Sequence, residues 1–302
     1  MSHNAAWSSH SHESSSYSSS HSSSASVSSE SGMNFAIAGS TSLSREYYTS
    51  NKAHSFTWTN IPLNFQSQIA WFHKFLQSKG CSNAADARCK ADIDNALFWL
   101  GALGVSDYFQ IHSKSIVAMR GISQLCIHHT TQLLQTVLTE GAKHIVVQGL
   151  PPIGCFPVSI SSCPPQQLDQ MGCNSDINSA IDLHNKLLQK MIERFRRQFP
   201  QCTIIYANYW KAFLAIFNNP GNYNFKETKK ACCGGGGGEF NFDRNSMRGT
   251  SGATKCSDPD SYISWDGIHL SGAMNKHLAE LLLNKDYCEP PFSEMVNKKT
   301  SI

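Results

Sequence analysis

The 302-residue sequence lacks several features that would assign it to a particular class of protein. No apolar run approaches the roughly 20 residues that a helix needs to cross a bilayer, and the N-terminus shows no apolar segment typical of a signal peptide. A net charge of +3, with 16% charged residues, is too small and too evenly spread to indicate nucleic-acid binding. We therefore expect no transmembrane segment and no nucleic-acid partner.

Metal and cofactor motifs are also missing. The 11 cysteines form no C-x-x-C pair at zinc-ligand spacing. The glycine run at residues 234–238 is followed by no Lys-Ser/Thr and preceded by no strand, so it does not fit a phosphate-binding loop. We expect no metal and no cofactor. So many cysteines indicate disulfides and an oxidising compartment, although no exporting segment is visible, and their odd number leaves at least one thiol unpaired.

The first 32 residues differ in composition from the rest. They are rich in serine, with scattered histidines and almost no apolar side chains to bury. Such a segment cannot offset the entropy lost on ordering, which predicts a disordered tail over residues 1–32. One folded domain is expected over residues 33–302.

Apolar strands alternate with amphipathic helices along this domain. The apolar runs at residues 96–104, 143–150 and 202–208 indicate buried strands. Helical spacing of apolar residues predicts helices around residues 65–76, 122–141 and 177–195, and a last helix capped by Ser271. This order predicts an α/β fold with a parallel sheet covered on both faces. Catalytic loops then meet at the carboxyl ends of the strands, at residues 104–108, after Leu150, and at Asp266 and His269.

The segment YISWDGIH places Asp266 and His269 three positions apart. A tight Asp-Gly turn can bring both side chains to one side. The aspartate would then accept a hydrogen bond from one ring nitrogen and leave the other nitrogen free as a base. The alternative for this pair is ordinary turn chemistry. Gly39, after an apolar segment, either offers its backbone N–H to an oxyanion or simply forms a turn.

A base requires a nucleophile, and the segment GVSDY contains a candidate. Ser106 follows an apolar strand, and the order Ser106, Asp266, His269 matches that of α/β-hydrolases. The final glycine of the Gly-x-Ser-x-Gly nucleophile elbow is replaced by Tyr108, which leaves less room for close helix–strand packing. Ser106 as nucleophile is therefore one hypothesis among several.

Several blocks together resemble the plant GDSL esterase/lipases of the SGNH hydrolase superfamily. These blocks are NFAIAGSTSL, FWLGALGVSDY, IVVQGLPPIGCFP, KACCGGGGGEFNF and CSDPDSYISWDGIHLSGAMNKHLAE. The resemblance runs from about Asn34 to the end of the chain, and the last block is the most specific. It implies a flavodoxin-like three-layer fold, secretion, and metal-free hydrolysis of carboxylic esters.

The resemblance also implies roles for individual residues. His269 would be the general base and Asp266 its orienting carboxylate. Gly39 would donate a backbone N–H to the oxyanion hole. Ser106 stands where the family has an asparagine side chain as the second donor, and its shorter hydroxyl makes a weaker hole. The family pattern further suggests that Cys155 pairs with Cys163 or Cys173, and that Cys232 or Cys233 pairs with Cys256.

No segment matches the family's Gly-Asp-Ser block, which carries the nucleophile on the first strand. We therefore expect an incomplete N-terminal strand region, unpaired edges on the neighbouring strands, marginal stability and an impaired hydrolase whose nucleophile is unknown. Two alternatives stay open: a non-catalytic relative that binds an acyl ligand or a protein partner, and a rewired hydrolase that uses Ser106. The expected substrate is a small acyl ester or lipid, and the expected state is a monomer.

Overall fold

The computed structural model describes residues 32–50, 64–81, 86–111 and 115–300. The predicted disordered tail, apart from Gly32, lies outside the described residues, so that expectation and the domain boundary after it stay predictions.

The described chain contains more helix than strand. The helices are α1 (Arg45–Ser50), α2 (Phe65–Ser78), α3 (Ala87–Asn95), α4 (Val105–Ile111), α5 (Ile116–Thr139), α6 (Pro157–Ile160), α7 (Ser175–Gln198), α8 (Tyr209–Phe217), α9 (Gly272–Asn284) and α10 (Phe292–Thr300). The helices expected from apolar spacing correspond to α2, α5, α7 and α9. The predicted cap of α9 is confirmed, because the Ser271 hydroxyl accepts a hydrogen bond from the Met274 N–H at 3.1 Å.

The strands form one main sheet and two short pairs. They are β1 (Leu97–Leu100), β2 (His144–Gln148), β3 (Thr203–Ala207), β4 (Glu227–Ala231), β5 (Cys233–Gly234), β6 (Thr254–Lys255), β7 (Tyr262–Ser264) and β8 (Cys288–Glu289). The main sheet has the order β1-β2-β3-β8, in which β1, β2 and β3 are parallel and β8 is antiparallel to β3. The mainly parallel sheet confirms the predicted α/β class.

The sheet is buried on both faces. Ile145 and Ile204 pack with α5 and α7 on one side, whereas Val146 and Ile205 pack with α8 and α9 on the other. Alternate residues of a strand point to opposite faces, so a strand buried on both sides must be apolar at every position. That requirement accounts for the continuous runs in β2 and β3, and the result is the expected three-layer arrangement.

Strand β1 departs from the expectation of a buried strand. Among the described strands it pairs with β2 alone, and Leu97 at its start is 44% exposed. An apolar composition identifies a strand correctly but does not place it within the sheet, and β1 is the outer strand of the sheet formed by the described residues. The marginal stability expected from an open edge stays a prediction.

Three disulfides join Cys81 to Cys89, Cys155 to Cys173, and Cys232 to Cys256. The second and third lie within the alternatives that the family pattern left open, whereas the first was not anticipated. The remaining five cysteines are unpaired: Cys126, Cys163, Cys202, Cys233 and Cys288. Across the residues that the structure describes, no helix is both long enough and apolar enough to span a membrane.

A buried carboxylate ties the loop after Gly39 to helix α4. Asp107 is fully buried and accepts the backbone N–H groups of Ser42 (2.8 Å) and Leu43 (2.9 Å) and the hydroxyl of Tyr48 (2.5 Å). Burial raises the pKa of this carboxyl, although the three donors oppose the shift. The loop and the helix are therefore held together by one side chain.

A second buried polar group lies beside α4. The Tyr108 hydroxyl is 2.6 Å from the Ser123 hydroxyl and 3.3 Å from Nδ1 of His184. Burial lowers the pKa of His184 to about 3, so its ring is neutral in the folded protein near neutral pH.

His184 should make stability fall as the solution is acidified. The unfolded ring binds a proton below its ordinary pKa of 6.5, whereas the folded ring does so only near 3. Between about pH 7.5 and about pH 5.5 this group should remove about 1.4 kcal/mol from the free energy of unfolding. Urea unfolding of the parent and of His184→Gln at these two pH values should show that acidification lowers the stability of the variant by about 1.4 kcal/mol less than that of the parent. His128→Gln, which removes an exposed ring, should behave like the parent; equal slopes in all three proteins would contradict the assignment.

Replacing Asp107 by asparagine should loosen the loop that contains Gly39. The amide offers one acceptor oxygen, and its NH2 group would face backbone N–H donors. We expect a loss of about 2 kcal/mol in the free energy of unfolding, with faster hydrogen exchange at the Ser42 and Leu43 amides. Asp182→Asn is the matched control, because this carboxylate is half exposed and, among the described residues, forms an ion pair with Lys186 alone. The cost of this substitution should stay below about 0.5 kcal/mol. Unchanged hydrogen exchange at the Ser42 and Leu43 amides in Asp107→Asn would contradict the prediction.

Candidate active site

The segment with Asp266 and His269 forms a closed turn between β7 and α9. Ser264 and Leu270 form an antiparallel bridge across it, and the Trp265 N–H donates to the His269 carbonyl at 2.8 Å. Gly267 has φ +87°, and a Cβ there would lie 2.2 Å from the ring of Phe242. Glycine is thus required at position 267 both by the backbone conformation and by the close packing against Phe242.

This turn places the carboxylate of Asp266 next to the Nδ1 edge of the His269 ring. Oδ2 accepts from Nδ1 of His269 at 2.8 Å, while Oδ1 accepts the backbone N–H groups of Ile268 (3.0 Å) and His269 (2.7 Å). The aspartate side chain is 1% exposed and that of the histidine 57%. Because Nδ1 faces the carboxylate, Nε2 is the ring nitrogen left to accept a proton.

Burial alone would raise the pKa of Asp266, but the hydrogen bonds from the His269 ring and from the backbone outweigh it and lower the pKa. The carboxylate is therefore ionised at neutral pH. An ionised carboxylate fixes the orientation of the imidazole ring and stabilises its protonated form.

Arg248 also binds this carboxylate, a contact that no sequence pattern indicated. Its Nε donates to Oδ2 of Asp266 at 2.7 Å. The same oxygen accepts the hydrogen bond from the His269 ring. Arg248 lies on the loop between β5 and β6 and is 52% exposed. Since 18 positions separate the two residues, no local spacing could have indicated the contact.

Gly39 and Ser106 line the same cavity as Asp266 and His269. Gly39 has φ +70° in a turn closed by a hydrogen bond from the Ser40 N–H to the Ile37 carbonyl. Ser106 lies in the first turn of α4. All four residues that the sequence singled out are thus brought together, and their catalytic roles stay predictions.

The cavity has a volume of about 740 Å³, enough for a small ester or part of a lipid. The three loops expected to meet all contribute to it, through Ser106, through Pro151 and Phe156, and through the turn with His269. Part of the remaining lining is apolar and suits an acyl chain: Ile37, Phe65, Leu103, Val105, Phe109, Met247, Ile268 and Leu270.

Two asparagines on α7 hold the loop after β2. Asn185 accepts the Leu150 N–H at 2.8 Å and donates to the Leu150 carbonyl at 2.9 Å, and Asn178 accepts the Gly154 N–H at 2.9 Å. Both side chains are buried. They fix the backbone that presents Pro151 and Phe156 to the cavity. In the sequence these two asparagines stand among the apolar positions of α7. A polar residue at such a position indicates only weakly that it binds a neighbouring loop.

Within the described ranges, no serine hydroxyl is hydrogen-bonded to the His269 ring. The same part of the chain contains no group of three or more His, Cys, Asp or Glu side chains placed to hold a metal ion.

Comparison with known proteins agrees with the resemblance seen in the sequence. The family model described as GDSL-like lipase/acylhydrolase matches residues 6–282. A GDSL esterase/lipase of Arabidopsis thaliana is 35% identical over 268 residues, which cover 89% of this chain and 68% of that protein. Acetylajmalan esterase 2 of Rauvolfia serpentina is 30% identical over 255 residues, covering 84% of this chain and 69% of the relative.

A second Arabidopsis thaliana GDSL esterase/lipase is 31% identical over 260 residues, and the match covers 84% of this chain and 77% of that protein. Because the family model spans most of the sequence and these relatives align over most of the chain, the protein belongs to the GDSL-like lipase/acylhydrolase family.

Proposed function

We propose that this protein acts on carboxylic esters, with His269 as general base and Asp266 as the group that orients it. The observation that carries the proposal is the 2.8 Å contact between His269 Nδ1 and Asp266 Oδ2, on a ring that is exposed at a cavity of about 740 Å³. Family membership supports the reaction class, and the apolar lining supports a small acyl ester or lipid as substrate.

In the proposed reaction, Nε2 of His269 takes a proton from the attacking hydroxyl or water, and later gives it to the alcohol oxygen that leaves when the ester C–O bond breaks. Asp266 stabilises the imidazolium that forms. Negative charge then develops on the carbonyl oxygen of the ester, and the backbone N–H of Gly39 and the hydroxyl of Ser106 donate to it. The proposal invokes no cofactor.

We further propose that turnover by this chain is low. No serine hydroxyl of the described ranges hydrogen-bonds to the His269 ring, and water is a weaker nucleophile than an activated serine. A serine hydroxyl is also shorter than the amide that the family pattern has at the position of Ser106, so it stabilises the oxyanion less well.

The three disulfides support a working location outside the reducing cytosol, and we propose an extracellular one. The monomeric state stays a prediction.

Hydrolysis of p-nitrophenyl acetate tests the proposal. For the purified chain we expect a turnover below about 0.01 per second, at least about a thousandfold under a typical enzyme. His269→Gln should abolish the excess over buffer, because the base is lost. Ser179→Ala, which removes a serine on α7 away from the cavity, should leave the rate unchanged. A rate in His269→Gln equal to that of the parent would exclude His269 as the base.

Ser106→Ala separates the two possible roles of that hydroxyl. If Ser106 donates to the oxyanion, turnover should fall by about 10²-fold to 10³-fold, and a fluorophosphonate probe should not label position 106. Labelling of Ser106, together with complete loss of turnover in the variant, would instead identify it as the nucleophile. Ligand binding by the parent without any turnover would favour the non-catalytic alternative.

A further inference from the structure

Two buried polar side chains line the cavity and keep a hydrogen-bond donor uncommitted. Gln148, the last residue of β2, is 8% exposed, and Tyr209, the first residue of α8, is 7% exposed. Among the residues that the structure describes, nothing accepts a hydrogen bond from the Gln148 NH2 group, and the Tyr209 hydroxyl has no partner. A buried donor costs free energy unless a group accepts its hydrogen bond. Both donors are therefore available to a ligand.

The contact between Gln148 and β1 fixes which end of the amide is free. Nε1 of the Trp99 indole lies 2.9 Å from the side-chain oxygen of Gln148. An indole nitrogen can only donate, so the atom that faces it must be the amide oxygen, and the NH2 group is left over. Neither this nitrogen nor the Tyr209 hydroxyl is fully sealed from solvent. Since both residues line the cavity, both donors open onto it.

The sheet places these two residues at neighbouring positions. In the register of β2 and β3, Gln148 pairs with Ala207, and Tyr209 follows Ala207 by two positions. Alternate residues of a strand share a face, so the Gln148 side chain projects on the same face as Val146, the face that α8 covers. The amide and the hydroxyl thus come from the carboxyl ends of adjacent strands.

Other hydroxyl groups of the cavity are already engaged. Those of Thr41 and Thr250 donate to backbone carbonyls at 2.7 Å and 2.8 Å. The Tyr209 hydroxyl differs from them in lacking such a partner among the described residues. Burial raises the pKa of Tyr209, so its hydroxyl stays protonated at neutral pH and can donate.

We propose that Gln148 and Tyr209 make this site selective for esters that carry a second, uncharged oxygen in their carbon chain, such as a ketone. The amide NH2 and the phenol O–H donate to that oxygen, while the apolar lining holds the chain. A neutral acceptor suits these donors, because a charged group would lose hydration that two neutral donors do not replace. A site with buried donors rejects an analogue without the acceptor, since the donors are then left unpaired. This inference rests on the proposed function for its reaction, but binding selectivity can be measured without turnover.

Two esters of equal shape test the selectivity. Methyl levulinate carries a ketone in its acyl chain, and in its methylidene analogue a C=CH2 group replaces that ketone, so the two differ only in oxygen against CH2. By isothermal titration calorimetry, we expect the purified chain to bind methyl levulinate about tenfold more tightly, as one or two neutral hydrogen bonds give. Raising the salt to about 0.5 M should leave the preference within about twofold, because neither ester is charged.

Variants of the two donors locate the effect. Tyr209→Phe removes only a hydroxyl and should lower the preference for methyl levulinate by about threefold, with the affinity for the methylidene analogue within about twofold of the parent. Gln148→Leu should lower the preference by at least as much. Because Gln148→Leu also deprives the Trp99 N–H of its acceptor, urea unfolding checks its folding, and Tyr209→Phe decides the test if that variant does not fold.

Matched controls remove the same groups away from the cavity lining. Tyr206→Phe deletes the hydroxyl of a buried tyrosine on β3, three positions before Tyr209. Gln132→Leu deletes the amide of an exposed glutamine on α5. Both controls should bind the two esters like the parent.

Equal affinity for the two esters, no measurable binding of methyl levulinate, or an equal loss of preference in Tyr206→Phe would overturn the inference. Proton NMR of the same samples reports hydrolysis separately. Selective binding without hydrolysis would contradict the proposed activity alone, whereas hydrolysis of both esters without selectivity would contradict this inference alone.

Discussion

A carboxylate removed from water must be surrounded by donors, and Asp266 meets this requirement entirely with groups of its own chain. Two backbone N–H groups, a histidine ring and an arginine occupy its two oxygens. The backbone can supply these donors only when the turn between β7 and α9 is tightly closed. That conformation in turn presents the ring of His269 to the cavity, so the orientation of the proposed base follows from the burial of one charge.

Another part of the cavity wall is held in the same way. Asp107 is buried on α4 and accepts the N–H groups of Ser42 and Leu43, which fixes the loop after Gly39 against the helix that carries Ser106. The parallel sheet supplies the frame, because the loops that follow its strands emerge at one edge. Two buried carboxylates and the loop held by Asn185 together position the residues that line the cavity.

Sequence patterns predicted the structural elements correctly where local residue type and spacing determine them. The continuous apolar runs of β2 and β3, the amphipathic spacing of α7 and the cap at Ser271 were all found from residue type and spacing. The pattern was less informative for β1, since the same apolar residues occur in central strands and in a strand that has one partner among the described strands. The sequence patterns also did not predict the Cys81–Cys89 disulfide or the asparagine contacts of α7. Each of these contacts joins two segments, and their relative position is set by the fold.

By itself, the sequence determined the α/β class, the positions of the main elements and the pair formed by Asp266 and His269, because each is encoded by residues close together in the chain. Only the tertiary structure decided that Gly39 and Ser106 share a cavity with that pair, that Arg248 binds the same carboxylate oxygen as the histidine, and that β1 pairs with β2 alone among the described strands. These features join segments that are distant in sequence, and their contacts are set by the packing of helices on the sheet rather than by any local pattern.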